Sequence, residues 1–134
     1  MLIKDGQKMK LTIPTDTPSL KNSKQIFRTR SGRPFITSSN RSKEWRIYAV
    51  ALLRQQAKGR SVERYPVSLT ITFFRSTRRR FDLDNAMSSC ADALVDAGII
   101  EDDNMNCVNK ITAAYGGLDR ENPRAEILIE QSDK

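Results

Sequence analysis

Two pairs of aspartates are the residues in this chain whose types and spacing suggest chemistry. Asp82 and Asp84 are separated by one residue, and Asp102 and Asp103 follow about twenty residues later. In extended backbone, side chains two residues apart point the same way, so both members of the first pair could reach one cation. A turn that brings the chain back would add Asp103, and Asn85 would add an amide oxygen. Hard divalent cations such as Mg²⁺ take such oxygen ligands.

The same aspartates also have an ordinary structural interpretation. One member of the first pair would be only a helix cap and the other a solvated loop charge, while Asp102 and Asp103 would form a simple turn. Residue types and spacing leave the metal site and this alternative open.

Histidine is absent from the sequence, and this excludes several classes of enzyme. Ser-His-Asp and Cys-His catalysis, HExxH zinc sites and every histidine general base are removed. Cys90 and Cys107 are expected to be free thiols and do not form a zinc site without histidine partners. A bound Mg²⁺ could still activate a water to attack a phosphodiester and neutralise charge on the phosphate.

Charge is divided sharply along the chain, although the net charge is only +7. Residues 1–80 carry 19 Lys and Arg against 4 Asp and Glu, a balance of +15, whereas residues 81–134 carry 4 against 12, a balance of −8. A basic surface next to an acidic cluster predicts a polyanion ligand and a cation, and nucleic acid is the expected polyanion. A generic solvated surface is the alternative. The candidate phosphate contacts are Lys21, Lys24, Arg28, Arg30, Arg33, Arg78, Arg79 and Arg80.

The order of elements is predicted from periodicity and from helix and turn signals. We expect one domain over residues 1–134, with a basic loop or arm at about 14–40 that includes a short hairpin around Gly32. The predicted elements are a strand at 10–13, a helix from about 40 to 57, a strand at 67–73, a helix from Asp82 or Asp84 to just before Gly98, and strands at 106–115 and 124–130. This order, β-α-β-α-β-β, favours an α/β (α+β) fold in which two helices cover one face of a small mixed sheet.

The first helix is predicted to bury an apolar stripe made of Trp45, Tyr48, Ala49, Leu52 and Leu53. For Trp45, stacking on an exposed base is an alternative to this place in the core. The sequence has neither an apolar run long enough to span a membrane nor a secretory leader, so we expect a cytoplasmic protein without a membrane partner.

A run of residues from position 82 to position 103 resembles the RusA family of Holliday junction resolvases. It consists of Asp82-Leu83-Asp84-Asn85, Asp92 and Leu94 in the helix, Gly98 at its end, and Asp102-Asp103. Upstream, Pro14, the segment 18–23, a turn at Gly32 and the helix with Trp45 are similar to the N-terminal part of the family. Family members are small homodimeric endonucleases of bacteria and their phages, with roles in DNA recombination and repair.

This resemblance implies a metal site and a substrate. Asp82, Asp84 and Asp103 would hold Mg²⁺, for which Mn²⁺ is a possible substitute, and Asn85, Ser88, Asp92 and Asp102 would surround these ligands. A homodimer would resolve four-way branched DNA by paired nicks, in which metal-activated water attacks the phosphodiester.

Ser88 departs from the family pattern. Family members usually carry a lysine four residues after the second aspartate, and serine supplies no positive charge to the scissile phosphate. Either another cation replaces it, with Arg80, Lys21, Lys24 and Lys110 as candidates, or the protein binds branched DNA and cleaves it weakly or not at all.

Overall fold

The fold is that of a computed structural model, which describes residues 8–18, 24–28, 34–38 and 40–132; for 24–28, 34–38 and 40 it describes the backbone alone. The elements are β1 (Lys8–Ile13), β2 (Lys24–Arg28), β3 (Pro34–Ser38), α1 (Asn40–Ala57), β4 (Val67–Arg75), α2 (Leu83–Asp96), β5 (Val108–Leu118) and β6 (Arg124–Gln131). The predicted α+β fold and its order β-α-β-α-β-β are confirmed, with β2 and β3 inserted between β1 and α1.

Four strands form a mixed sheet in the order β1-β6-β4-β5. Strand β6 runs antiparallel to both β1 and β4, whereas β5 runs parallel to β4. Strands β2 and β3 pair antiparallel in a separate sheet, which is the hairpin expected in the basic segment. Residues 29–33, which would form its turn, lie outside the described part of the chain.

The core lies on one face of the four-stranded sheet. Strand β4 alternates along its length, and Val67, Leu69, Ile71 and Phe73 are at most 1% exposed. On the neighbouring strand β6, the residues that pair with Leu69, Ile71 and Phe73 are also apolar and buried. Buried side chains of α1 and α2 belong to the same cluster, so both helices cover this face, as the sequence predicted.

Helix α1 buries a narrower stripe than the sequence suggested. Trp45, Ala49, Leu53 and Ala57, spaced four residues apart, are all buried. The prediction that Tyr48 is a core residue is wrong, because its side chain is 45% exposed. Neighbouring helix positions are about 100° apart, so a residue adjacent to Ala49 lies well to the side of the buried stripe.

Helix α2 ends at the position predicted from Gly98. This glycine has a φ of +76°, a conformation that residues with a side chain rarely adopt. The amide of Gly98 donates to the Val95 carbonyl, at 2.9 Å, and that of Ile99 donates to the Leu94 carbonyl, at 3.1 Å. This pair of bonds is a Schellman motif, which ends the helix and turns the chain toward β5.

Strand β5 extends to Leu118, beyond the predicted end at residue 115, and includes Gly116 and Gly117. The predicted end of this strand at residue 115 is therefore three residues too early. A Cβ on Gly116 would lie 2.7 Å from the ring of Phe74 and 2.8 Å from Thr72, so only glycine lets β5 pass so close to β4. Because Gly116 has no side chain, the strand can continue past this position instead of ending there.

Both cysteines are free, as expected, and both are buried. Burial raises the pKa of the Cys90 thiol to about 12, so this group stays protonated and unreactive at neutral pH. Within the described residues, none of the helices combines the length and the hydropathy needed to cross a membrane.

Candidate active site

Asp82 is the N-cap of α2. Its backbone is extended, with φ −94° and ψ 103°, and its Oδ1 accepts hydrogen bonds from the amides of Asp84, at 3.1 Å, and Asn85, at 3.3 Å. Its Oδ2 accepts a 2.8 Å bond from Nδ2 of Asn85. These bonds hold the carboxylate in one orientation. An ionised carboxylate has about four lone-pair sites, so capping leaves it able to bind a cation as well.

Asp84 is exposed in the first turn of α2. Because the helix begins at Leu83, the argument that extended backbone points Asp82 and Asp84 the same way does not apply to the second aspartate. Ser88 lies one turn further along, where its Oγ donates to the carbonyl of Asp84 at 3.1 Å. Position 88 is therefore on the Asp84 side of the helix and carries a neutral side chain.

Asp102 organises the turn that precedes β5. Its Oδ1 accepts a 2.7 Å bond from the amide of Asp103, and its Oδ2 accepts a 3.1 Å bond from Nδ2 of Asn104. Oδ1 of Asn104 in turn accepts a bond from the amide of Asn106 at 2.9 Å. These contacts give Asp102 a role in the turn, while the carboxylate of Asp103 remains exposed.

The turn with Asp103 lies at the opposite end of β4 from Asp82. The amide of Glu101 donates to the hydroxyl of Tyr65, at 2.8 Å, and the amide of Val67 donates to the carbonyl of Cys107, also at 2.8 Å. Residues 101–107 therefore adjoin the start of β4. Asp82 follows the end of that nine-residue strand, and at about 3.3 Å per residue the two ends are roughly 26 Å apart.

The charges that act on Asp92 show which part of α2 lies near the turn with Asp103. Partial burial raises the pKa of the Asp92 carboxyl, Arg46 opposes this, and the charges of Asp103 and Asp96 add to it. Asp103 is thus an electrostatic neighbour of a residue ten positions beyond Asp82, about 15 Å along the helix axis. No three acidic or cysteine side chains among the described residues are arranged to hold one metal ion. The expected convergence of Asp82, Asp84 and Asp103 is not seen within one protomer, and their role as ligands stays a prediction.

The arginines predicted to contact phosphate are only partly covered by the structure. Arg78, Arg79 and Arg80 are exposed in the segment that leads to Asp82. The remaining candidates, also still predictions, are Lys24 and Arg28 in β2, of which the backbone alone is described, and Lys21, Arg30 and Arg33, which lie outside the described residues.

Arg75 is a functional candidate that the sequence did not reveal. At the end of β4 its Nη1 lies 3.2 Å from Oδ1 of Asp16 and donates to the carbonyl of Thr17 at 3.1 Å. Its guanidinium carbon lies 4.1 Å from the ring centroid of Phe81, which also packs edge-on against Phe73. The side chain thereby ties the loop after β1 to the residue that immediately precedes Asp82.

Asp16 was the available signal for this contact. It is one of only 4 acidic residues in the first 80, and such a residue in a basic segment is expected to have a specific cationic partner. Its carboxylate also accepts hydrogen bonds from the amide of Ser76, at 3.1 Å, and from the hydroxyl of Ser76. The partner could not be named from the sequence, since Arg75 is 59 positions away.

Comparison with known proteins assigns the family. The family model described as Endodeoxyribonuclease RusA matches residues 16–130, which is most of the chain. The chain belongs to this family. A curated relative, the crossover junction endodeoxyribonuclease RusA of Aquifex aeolicus (strain VF5), is 34% identical over 100 residues, which cover 72% of this chain and 77% of the relative. The RusA match includes the acidic pair, the arginines before it and the turn at Asp102 and Asp103, and it supports a nuclease.

Replacing Asp82 should separate its capping role from any role of its charge. We expect Asp82→Ala to lower the free energy of unfolding by about 1 kcal/mol, because two amides of α2 lose their acceptor. Asp82→Asn keeps an acceptor and should cost less. Urea denaturation at one fixed protein concentration measures both, with Asp84→Ala as the matched control outside the cap. Equal stability of the alanine and asparagine variants would contradict the capping role.

Proposed function

We propose that this RusA-family chain is a magnesium-dependent endonuclease that resolves four-way DNA junctions by paired nicks. The observation that carries the proposal is the position of the acidic pair. Asp82 and Asp84 lie at the N-terminus of α2, and three exposed arginines end two residues before Asp82, so that groups for a cation and groups for phosphates are close along the chain. The Aquifex relative is named as a crossover junction endodeoxyribonuclease, which supports a four-way junction as the substrate.

The chemistry of the acidic pair fits a hard divalent cation. Mg²⁺ is commonly held by one or two carboxylates together with water and substrate phosphate, and Asp82 and Asp84 offer this set. Mn²⁺ takes similar oxygen ligands and is the expected substitute. Asp103 of the same protomer does not join the pair, so in this proposal a third carboxylate comes from Asp103 of a second copy. The proposed enzyme is therefore a homodimer whose sites each use both protomers.

Each residue of the proposed site has a separate task. Bonds to the start of α2 and to Asn85 hold the Asp82 carboxylate in place, and the helix N-terminus favours negative charge there. Arg78, Arg79 and Arg80 would bind phosphates on either side of the reacting one, and such contacts recognise backbone shape and charge rather than sequence. The metal, when bound, would supply Lewis acidity at the scissile phosphate and lower the pKa of water.

Ser88 supports a second candidate function, a branched-DNA-binding protein with weak or no cleavage. The side chain at this position bonds to the carbonyl of Asp84 and brings no charge toward the acidic pair. Of the cations that could replace the family lysine, Arg80 lies two residues before Asp82, whereas Lys110 lies near the start of β5, at the Asp103 end of the fold. We favour Arg80 for this reason, and with it the catalytic function.

The two functions differ in what happens to a labelled four-way junction. With Mg²⁺, we expect the wild-type protein to make symmetric nicks, and without a divalent ion it should retain the intact junction. Asp82→Asn should reduce the cleavage rate by at least about a hundredfold while leaving junction affinity unchanged or tighter, because it removes a ligand charge close to phosphate. Glu121→Gln, an exposed acid in the loop between β5 and β6, is the control and should cleave normally. Retention without nicking by the wild type would favour the binding protein.

Position 88 offers a gain-of-function test. We expect Ser88→Lys to raise the single-turnover cleavage rate by about tenfold or more, because it restores a cation one helical turn from Asp84. Gln55→Lys adds the same charge at an exposed position of α1 and controls for a general gain in DNA affinity. An unchanged or lower rate for Ser88→Lys alone would mean that another cation already has this role.

A further inference from the structure

A cleft of about 570 Å³ lies beside the segment that leads to Asp82. It is bounded by the loop after β1, the first half of α1 and residues 75–80. Its volume is in the usual range for sites that take small molecules, which run from about 300 to 1,000 Å³, and it is too small for a DNA duplex. The side chains that matter below are Arg41, Trp45, Tyr48, Arg75, Arg79 and Arg80.

Two buried hydrogen-bond donors line this cleft. Trp45 is 92% buried, because only 8% of its surface is exposed, and within the described part of the chain its Nε1 has no hydrogen-bond partner. Nε of Arg75 is also buried and has no hydrogen-bond partner among the described residues. Both groups can only donate, and buried donors are almost always paired in folded proteins. Both atoms are shielded from solvent, so a ligand in the cleft would reach them only after neighbouring side chains shift.

The charge of the cleft favours an anion. Arg41, Arg79 and Arg80 are exposed along it, and Glu44 is the one exposed acid among the described residues of its lining. Burial lowers the pKa of Arg75; Asp16 opposes this shift, and the charge of Arg41 adds to it. The carboxylate of Asp16 is already bound by Arg75 and Ser76, as described above. The cleft therefore has an excess of positive charge, which favours a phosphate-bearing ligand.

Tyr48 adds a flat aromatic surface to the same cleft. Its side chain is 45% exposed, although its sequence position predicted burial. Arginines that track a phosphate backbone, together with an exposed aromatic ring, are the combination by which proteins hold unpaired nucleotides. Arg80 is two residues from Asp82, and two residues of extended chain reach only about 7 Å. A nucleotide in the cleft would therefore be a near neighbour of the phosphate at the acidic pair.

We propose that this cleft binds one unpaired nucleotide of the DNA substrate, with its phosphate on the arginines and its base against Tyr48. The inference rests on the proposed function, because the nucleotide in the cleft would be one that is displaced where strands exchange. Base pairs at a branch point open more easily than those inside a continuous duplex, so a site that holds one opened nucleotide favours the branch point.

Trp45 provides a direct test because it is the single tryptophan of the chain and lines the cleft. The experiment titrates the protein, in EDTA, with a single strand of four thymidine nucleotides and follows tryptophan emission. We expect a saturable change, which a longer, stably paired hairpin duplex does not produce, and inorganic phosphate should bind at least tenfold more weakly. Tyr48→Ala should weaken binding about fivefold or more through loss of stacking. Ile47→Ala, the neighbouring and 73% exposed residue outside the cleft, should bind within twofold of wild type.

Three results would overturn the inference. The first is an emission spectrum that does not change at any concentration of the single strand. The second is equal affinity of Tyr48→Ala and the wild type for the oligonucleotide. The third is inorganic phosphate that binds as tightly as the oligonucleotide, which would indicate a general anion site. Arg79→Ala, compared with Arg60→Ala elsewhere on the surface, tests the charge independently and should also weaken binding. Because the titration contains no divalent ion, it does not depend on cleavage. If the wild type cleaves junctions but Tyr48→Ala binds the oligonucleotide with normal affinity, only this inference is overturned. If the wild type does not cleave but binds the oligonucleotide as expected, only the proposed function is overturned.

Discussion

The parallel pairing of β4 with β5 is the constraint on which the rest of the arrangement depends. Parallel neighbours need a crossover from the end of one strand to the start of the next, and here α2 is that crossover. The acidic pair begins the crossover and Asp103 follows its end. Two acidic groups that are only about twenty positions apart in sequence are therefore held at opposite ends of one rigid unit, and a site that uses both needs a second protomer.

The end of β4 with the acidic pair is also where the two halves of the charge distribution meet. Arg75 holds the loop after β1 through Asp16 and supports Phe81, so the basic first part of the chain is tied directly to the residue before Asp82. The exposed arginines and the cleft with Trp45 and Tyr48 lie on the same side of this junction. The groups proposed to bind phosphate and the groups proposed to bind a cation thereby share one stretch of backbone, which suits the proposed metal-dependent nuclease.

The sequence predicted features whose causes are local and missed those whose causes are distant. Alternation predicted β4, and aspartates before an apolar helix predicted a cap at Asp82 or Asp84, of which Asp82 is the one observed. Neighbours along the chain determine both features. The exposure of Tyr48 depends on which side of α1 meets the sheet. The Arg75 contact with Asp16 and the place of Asp103 depend on strand order, which no local pattern encodes. Continuation of β5 through Gly116 depends on the ring of Phe74 in the neighbouring strand.

Mixed dimers test most directly whether two protomers share each metal site. An Asp84→Asn protomer and an Asp103→Asn protomer, carrying different affinity tags, are combined and the mixed dimer is purified, with each variant homodimer as the inactive reference. If Asp103 acts across the dimer, one site contains both substitutions and the other contains neither, so the mixed dimer should nick one strand of a four-way junction. If each site uses aspartates of a single protomer, both sites are damaged, and a mixed dimer as inactive as its parents would contradict the shared site.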